Sequence, residues 1–475
     1  MLRSTLRALS AAVLTVAIAA CGTPTSPADV VTTDSEPFDD RPAGDAAADA
    51  PSESSSDSGL PRGIFELRGT DRTLPTTDLA PLAATVRDVD VVGLGESIHT
   101  SGGFARAKAR MTRFLVAEQG FRVVSFENPW ASSDTVNQYV QTCTGTPEDA
   151  TRQLDPIWWD VATAETLQFL CEWNRAHPTD RVTFAGFDIR QPWVDEPALR
   201  RFFTMTAPTE ATRLLDGLRT CIGVGYADVR AFFADPAIIA IYSNRARIQD
   251  APHMACIAGT AAVSTYLTDN RAALVAASSA DAVEYARLAN VGIEAFENTG
   301  YQYFGRDIRM GQSARDTAMA DAFFTLRRLR HPMARTVVWA HNLHITFNSD
   351  QIEQSPYRGV RNFGTRLRSV LMSRYASIGV IAWRTNIHWQ MGPQTLPEPL
   401  PGAIEVDLHG LARPFLFVDT SAASTGADSF IDPTVLYGVG GTESMNPHEH
   451  YTAFFFIDDS PGYTFVGGVN PWTGM

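Results

Sequence analysis

Seven short apolar runs recur along the chain after residue 88. Continuous apolar runs of this length are typical of strands that are covered on both faces, as in a parallel sheet. They predict strands at residues 89–94, 122–126, 181–187, 336–340, 378–383, 415–419 and 452–457. A helical pattern ending at Gly120 lies between the first two runs. This order predicts a parallel strand–helix–strand unit.

The pattern changes between residues 195 and 330, where several stretches have helical spacing and no strand-like run interrupts them. We expect this region to be a large helical insertion between two strands of the sheet. The prediction is therefore an α/β fold with a three-layer α/β/α core, a mostly parallel sheet and a large helical insertion. The folded domain is predicted to span residues 61–475, a length that buries a large core.

Residues 1–20 have the features of an export signal. Arg3 and Arg7 flank its charged start, an apolar run too short for a membrane span follows, and small residues stand directly before Cys21. The segment resembles a bacterial lipoprotein signal peptide, in which Cys21 becomes the lipidated first residue. Ordinary secretion with cleavage nearby remains an alternative. We expect an exported lipoprotein, anchored by lipid on Cys21 outside the cytoplasmic membrane or in the periplasm or outer membrane.

Residues 21–60 are rich in Ser, Pro, Ala and Asp and contain one aromatic residue, Phe38. Such a segment buries too little apolar surface to order itself, so we predict a disordered acidic tether. It carries nine acidic residues and one arginine, a net charge of −8 within a formal total of −14. This acidic balance argues against nucleic acid as a partner.

Four further cysteines lie in the predicted domain, at Cys143, Cys171, Cys221 and Cys256. An even number of cysteines in an exported protein suggests disulfides. We favour the local pairings Cys143–Cys171 and Cys221–Cys256, and the two other pairings remain open. No C-x-x-C motif occurs, which argues against a cysteine zinc site.

Ionisable residues follow four of the predicted strands at the point where each strand ends. Ligands of an open parallel sheet bind outside the carboxyl ends of the strands, so these residues are expected to share one site. They are Glu96 and His99 after the first strand, Glu127 after the second, Asp188 after the third, and His341 and His344 after the fourth.

Each of these residues also has a structural interpretation. Glu96 can cap the helix that follows it, and the other two carboxylates can hold the ends of loops. His344 can be a buried histidine with a purely structural role. His99 and His341 are the strongest candidates for chemistry, because a histidine at a helix start or a strand end rarely serves packing alone.

Six segments between about Arg62 and Tyr463 resemble the erythromycin esterase family and occur in the family's order. The most specific are GLGESIHT, with its Gly-Glu-x-x-His block, and VVWAHNLHI, with its Trp-Ala-His-Asn-x-His block. The resemblance implies a three-layer α/β core with a large helical part. It also implies hydrolysis of an ester, in this family the lactone of a macrolide, without a metal or other cofactor.

The resemblance implies that His99 is the general base, that Glu96 is its neighbour in the motif, and that Glu127 and His341 are essential. We expect the substrate to contact a wider set that includes one tryptophan: His344, Asp188, Arg315, Lys108, Arg110 and Trp130. The chain departs from the family at Thr100, where glycine is usual, and at Gly103, where glutamate is frequent.

The residue types suit hydrolysis by activated water. A neutral imidazole takes a proton from water near neutral pH, and a neighbouring carboxylate fixes its tautomer and stabilises the imidazolium. We therefore predict cleavage of a carboxylic ester or macrolactone by water that His99 activates, with His341 or Arg315 donating to the oxyanion. No G-x-S-x-G motif occurs, which argues against a serine nucleophile.

Two other functions remain open. A metal-dependent hydrolase would use Glu96, His99, His341 and His344 as ligands, because both pairs have a spacing that can place two ligands together. A solute-binding lipoprotein would hold a small molecule in the same cleft without converting it. The expected partner is a small-molecule ester or macrolactone, and the expected state is a monomer.

Overall fold

The computed structural model describes residues 59–238, 250–305, 307–352, 358–389, 392–424, 430, 434–438 and 441–472. The predicted signal, Cys21 and the predicted tether up to residue 58 lie outside these residues. Within the described part of the chain, no helix combines the length and apolarity needed to cross a membrane.

A nine-stranded sheet forms the centre of the fold. Its order is β1-β8-β11-β6-β2-β5-β3-β4, with β7 paired to β6. The bounds are β1 Ile64–Glu66, β2 Val91–Leu94, β3 Phe121–Pro129, β4 Thr183–Asp188, β5 Arg335–Trp339, β6 Tyr375–Trp389, β7 Gly392–Thr395, β8 Phe415–Asp419 and β11 Ala453–Ser460. The run from β4 to β11 is parallel, whereas β1, β7 and β8 pair antiparallel. Strands β9 (Thr434–Gly438) and β10 (Gly441–Met445) form a separate antiparallel pair.

All seven predicted strands are present, and their continuous apolar character has a direct structural cause. Neighbouring residues of a strand point to opposite faces of the sheet, and both faces are covered. Val91 of β2 and Val338 of β5 belong to the apolar cluster on one face, and Val92 and Val337 belong to the cluster on the other. The core thus has the predicted three layers.

Helices cover both faces of the sheet. Those of the core are α1 Ala80–Val86, α2 Gly102–Gln119, α3 Trp130–Thr142, α4 Pro147–Thr151, α5 Val161–Ala176, α13 Asn342–Ile345, α14 Phe363–Leu371, α15 Ile404–Gly410, α16 Thr420–Ser424 and α17 Pro447–His450. Helix α2 ends where the sequence predicts, because Gly120 takes a left-handed conformation with φ 72°. Short 3₁₀ turns lie at Thr77–Leu79, Pro156–Trp158, Ser349–Gln351, Met372–Arg374 and Val466–Gly468.

The described chain between β4 and β5 contains helices and no strand. They are α6 Pro192–Thr206, α7 Pro208–Asp216, α8 Val229–Ala234, α9 Asp250–Asp269, α10 Arg271–Ala277, α11 Ala280–Gly305 and α12 Ile308–Arg330. These helices have an apolar cluster of their own. A smaller cluster joins Trp130 and Ile189, at strand ends, to α11 and α12.

Two disulfides connect the helices, with the pairing that the sequence favoured. Cys143 directly follows α3 and is bonded to Cys171 in α5. Cys221 follows α7 and is bonded to Cys256 in α9. One disulfide therefore fixes two helices of the core, and the other fixes helices that lie between β4 and β5.

The sheet order explains how residues from distant parts of the sequence meet. Strands β2, β5, β3 and β4 are consecutive neighbours, and they are the four strands followed by the predicted site residues. Their ends are level, since Trp339 of β5 pairs with Leu94 of β2 and with Phe126 of β3. The register of β3 shifts after Phe126, directly before Glu127.

Candidate active site

Glu96 is the buried centre of the first part of the site. Its Oε1 lies 2.5 Å from Nδ1 of His99, and its Oε2 lies 2.5 Å from Nζ of Lys108. Because a carboxylate accepts the proton on Nδ1, the neutral His99 ring presents an unprotonated Nε2. The side chain of His99 is 17% exposed, so this nitrogen is suited to take a proton from water.

The chain approaches the neighbouring strand closely at Gly95, just before Glu96. A Cβ atom at this position would lie 2.0 Å from Oδ1 of Asn342, which follows β5. The backbone N–H of Asn342 also donates to the carbonyl of Glu96 at 2.8 Å. Glycine therefore allows the segments after β2 and β5 to pack together, which brings Glu96 and His341 into one site.

Lys108 supports Glu96 from within the core. Its ammonium lies 4.6 Å from the ring centre of Trp158 and 4.7 Å from that of Trp339, and its side chain is fully buried. Burial lowers the pKa of Lys108, and the charge of Glu96 opposes this effect. In this structure the side chain is enclosed and its cation balances the carboxylate of Glu96, and contact between Lys108 and substrate stays a prediction.

Arg110 lies apart from the other predicted site residues. Its guanidinium donates to the carboxylate of Asp78 and to the carbonyls of Gly69 and Pro75. Residues two positions apart in a helix do not share a face, so Arg110 and Lys108 cannot both point toward the same cleft. Arg110 fixes the segment before α1, and contact between Arg110 and substrate stays a prediction.

His341 is buried and has the opposite arrangement of ring nitrogens to His99. Its Nδ1 accepts a hydrogen bond from the backbone N–H of Leu343 at 3.1 Å, as the N-cap of α13. Nε2 makes no hydrogen bond of normal geometry to the described residues. The nearby backbone carbonyl of Ser97 favours a proton on the ring. The two rings are 5.2 Å apart, with an interplanar angle of 70°. His341 thus presents a donor beside the acceptor of His99.

Glu127 is the centre of a second buried network. Its Oε1 accepts from Nη2 of Arg315 at 2.7 Å, and its Oε2 accepts from the backbone N–H of His341 at 2.9 Å. Arg315 also donates to Oδ2 of Asp188 at 2.7 Å. Nε2 of His344 lies 3.1 Å from Nη1 of Arg315. The network therefore holds the backbone of His341 in place.

Electrostatic effects keep the charges of this network fixed. Burial alone would raise the pKa of Glu127, but the positive charges of His344 and Arg315 hold it well below its usual value. Burial likewise opposes ionisation of Asp188, and Arg190 and Arg315 lower its pKa. Both carboxylates are therefore ionised at neutral pH, and Arg315 remains charged between them.

His344 links the network to the helices that follow β4. Its Nδ1 lies 2.6 Å from Oδ1 of Asp316 in α12, and its Nε2 lies 3.4 Å from Oε1 of Glu127. Burial disfavours a charged imidazole, but Asp316 and Glu127 outweigh this effect and raise the pKa of His344. Arg315 and Asp316 thus connect α12 to the strand ends.

Two tryptophans at the strand ends have different positions. Trp130 begins α3, is 8% exposed and stacks on Tyr285 of α11 at 5.9 Å, so it joins the sheet to the helices after β4. Trp158 lies 5.7 Å from the ring of His99 in an edge-on arrangement, and its Nε1 donates to the carbonyl of Glu127. Both tryptophans belong to segments that the sequence places near the cleft, and Trp158 is the one whose ring lies beside His99.

Thr100, directly after His99, is the position where the chain has threonine and the family usually has glycine. Its φ is 68°, in the left-handed region that glycine adopts without strain. A β-branched residue is rarely found there. The sequence reveals the unusual residue at this position but not its backbone conformation.

The metal-dependent alternative requires free ligand atoms that converge on one point. Glu96 is instead paired with His99 and Lys108, and Arg315 supplies the positive charge between Glu127 and Asp188. The part of the chain that the structure describes contains no group of three or more His, Cys, Asp or Glu residues arranged to hold a metal ion.

Fold and site together define an α/β protein with a histidine–carboxylate site at the carboxyl ends of its parallel strands. The chain belongs to the erythromycin esterase family, whose model matches residues 116–460. The matched range includes Glu127, Asp188, Arg315 and His341, and it begins after Glu96 and His99.

Individual proteins agree with this membership. The putative hydrolase YbfO of Bacillus subtilis (strain 168) is 22% identical over 401 residues, which cover 80% of this chain and 86% of that protein. A mutant of the erythromycin esterase EreC in its open conformation has a TM-score of 0.68 at 16% identity, covering 85% of this chain and 99% of the other. A succinoglycan biosynthesis protein has a TM-score of 0.66 at 18% identity, covering 84% and 95%. The two structures show the shared fold, and the family with its hydrolase relative supports a hydrolase.

Proposed function

We propose that this protein hydrolyses a carboxylic ester or macrolactone without a metal, using His99 as the general base. The observation that carries this proposal is the pair of histidine rings 5.2 Å apart with complementary nitrogens. His99 has a free acceptor because Glu96 binds its Nδ1, and His341 has a buried donor because Leu343 binds its Nδ1. Activation of water needs an acceptor for its proton, and the carbonyl oxygen of the ester needs a hydrogen-bond donor.

In this mechanism, His99 removes a proton from water while the water oxygen attacks the carbonyl carbon of the ester. Glu96 stabilises the imidazolium that forms, and Lys108 holds the other oxygen of Glu96 in place. The Nε2–H of His341 donates to the developing oxyanion. His99 then returns the proton to the leaving alkoxide, so that an acid and an alcohol are released and the enzyme is restored. Glu127 and Arg315 hold the backbone of His341 throughout.

The test is hydrolysis of a panel of esters and macrolactones by the purified full chain, with and without a chelator. H99A should abolish turnover, while H177A should not, because His177 follows α5 and stacks on Trp173 away from the site. Turnover that survives the chelator and depends on His99 supports the proposal. Loss of turnover in chelator would support a metal-dependent hydrolase.

The solute-binding alternative predicts a different result when the wild type and H99A are tested with the same esters. A binding protein would convert none of the esters, and H99A would leave its affinity for a small-molecule ligand largely unchanged.

We also propose that the chain acts as an exported, lipid-anchored monomer. Its two disulfides are compatible with export. Metabolic labelling with a fatty acid, compared between the wild type and C21S, tests the anchor.

A further inference from the structure

Thr100 combines two unfavourable features at the residue directly after His99. Its backbone has a φ of 68°, which strains a β-branched residue. Its Oγ1 is buried and has no hydrogen-bond partner among the described residues. A buried hydroxyl without a partner is destabilising because its lost hydration is not replaced. Glycine would avoid both costs at this position.

The surrounding backbone holds Thr100 in this conformation. Its carbonyl accepts hydrogen bonds from the N–H of His388 in β6 and of Tyr463 after β11, each at 3.2 Å. The next residue, Ser101, forms a bridge with Gly462. Strained conformations persist where the surroundings impose them in this way. The backbone conformation of Thr100 is thus set by neighbours in β6 and in the segment after β11.

The strain at Thr100 differs from that at other positions of the described chain. Positive φ angles also occur at Cys143, Asn348, Met372 and Ala412. None of those four residues is β-branched. Thr100 is therefore the one β-branched residue with positive φ in the described ranges, and it adjoins the candidate base.

We propose that Thr100 Oγ1 hydrogen-bonds a water molecule beside His99 and so positions the nucleophile. This inference rests on the proposed function. A buried water needs two to four polar partners. Oγ1 of Thr100 is without a partner among the described residues, and the acceptor nitrogen of His99 supplies the second polar group that such a water needs. The N–H of His341 remains for the carbonyl oxygen of the substrate. The hydroxyl of Thr100 then has a hydrogen-bond partner, the water that His99 deprotonates.

The kinetic test compares T100V with T100S in the full chain. Valine keeps the shape and the β-branch of threonine and removes the hydroxyl, whereas serine keeps the hydroxyl. We expect T100V to lower kcat about tenfold with little change in KM, which is the loss of roughly one hydrogen bond to the reacting water. T100S should stay within about threefold of the wild type, as a retained hydrogen bond requires. Wild-type kcat in T100V would overturn the proposal.

T166V is the matched control, because Thr166 is also buried but its Oγ1 donates to the Ala162 carbonyl within α5. It should leave kcat unchanged. A crystal structure of the wild type gives a second readout that needs no substrate. We expect an ordered water within about 3 Å of Thr100 Oγ1 that also contacts His99. A structure without an ordered water at Thr100 Oγ1 would overturn the proposal. If the wild type cleaves no ester while this water is present, the proposed function fails and the water site stands.

Discussion

Nδ1 of His341 accepts a hydrogen bond from the backbone N–H of Leu343 at 3.1 Å. A ring nitrogen that accepts carries no proton, so the neutral ring has its proton on Nε2. Burial, followed by the charge of His99, holds the pKa of His341 well below its usual value, which keeps the ring neutral. The contact with Leu343 therefore makes His341 a donor, and it leaves the role of base to His99.

Replacing His341 by alanine should remove the donor and keep the base. We expect H341A to lower kcat by about 10²–10³, the typical cost of losing one oxyanion donor. The dependence of kcat/KM on the ionisation of the base should persist in H341A, because His99 is unchanged. The measurement is a pH–rate profile of both proteins. If the limb that reports the base disappears in H341A, His341 is the base and the assignment of the two histidines is reversed.

Lys108 and Glu96 form a buried ion pair, which predicts non-additive effects of mutation. K108M leaves the Glu96 carboxylate buried beside methionine, so the free energy of unfolding should fall by about 3–5 kcal/mol. The double variant E96Q/K108M removes both charges and should recover most of that stability. Its activity should remain low, because glutamine does not stabilise an imidazolium at His99. Urea denaturation and ester hydrolysis of the three proteins measure the two effects separately.

Equal loss of stability in K108M and E96Q/K108M would contradict this account. It would mean that the ammonium of Lys108 contributes through its contacts with the rings of Trp158 and Trp339, and not through its pairing with Glu96. Methionine keeps much of the aliphatic stem of lysine, so the loss would not come from missing stem contacts.

The sequence predicts the parallel part of the sheet because buried strands carry apolar side chains on both faces. Val91 and Val92 illustrate this, since they belong to clusters on opposite faces. Strands β1 and β7 were not predicted, because they are short, partly exposed and lack an apolar run. Their positions depend on pairing with β8 and β6, which only the tertiary structure provides.

From the sequence, the candidate site could be predicted only for the residues at the ends of the strands. Glu96, Glu127, Asp188 and His341 lie at or just after the ends of neighbouring strands, so a rule about parallel sheets brings them together. The enclosure of Lys108 could not be read in this way, because it depends on which face of α2 meets the sheet. Helical spacing alone, however, separates Lys108 from Arg110 and would have excluded a shared role.

Arg315 is expected to organise Glu127 and Asp188 through the directions of its N–H groups. R315K keeps the positive charge but lacks the planar set of donors that binds both carboxylates, so Glu127 would lose its fixed position at the backbone N–H of His341. We expect kcat to fall at least tenfold and stability to fall as the buried carboxylates lose hydrogen bonds. R309K is the control on the same helix, because Arg309 is exposed and contacts Asp307. Similar kinetics in R315K and the wild type would show that charge alone suffices.

Asp160 predicts an unusual dependence of stability on pH. Its two oxygens accept from the backbone N–H groups of Ala162 and Thr464, yet burial raises its pKa from 3.8 to about 6. The folded state therefore binds this proton more tightly than the unfolded state. The contribution of Asp160 to stability is fully present below its unfolded pKa and is lost as the pH rises through its folded pKa.

Urea denaturation of the wild type and D160N between pH 4 and pH 7 measures this contribution. Asparagine does not titrate, so the stability of the wild type relative to D160N should fall over this range by an amount on the order of 2 kcal/mol. D180N should give a difference of the opposite sign at lower pH, because a hydrogen bond from Arg122 lowers the pKa of the exposed Asp180. A constant difference between the wild type and D160N from pH 4 to pH 7 would mean that Asp160 stays ionised in the folded protein. Its two backbone hydrogen bonds would then outweigh the effect of burial.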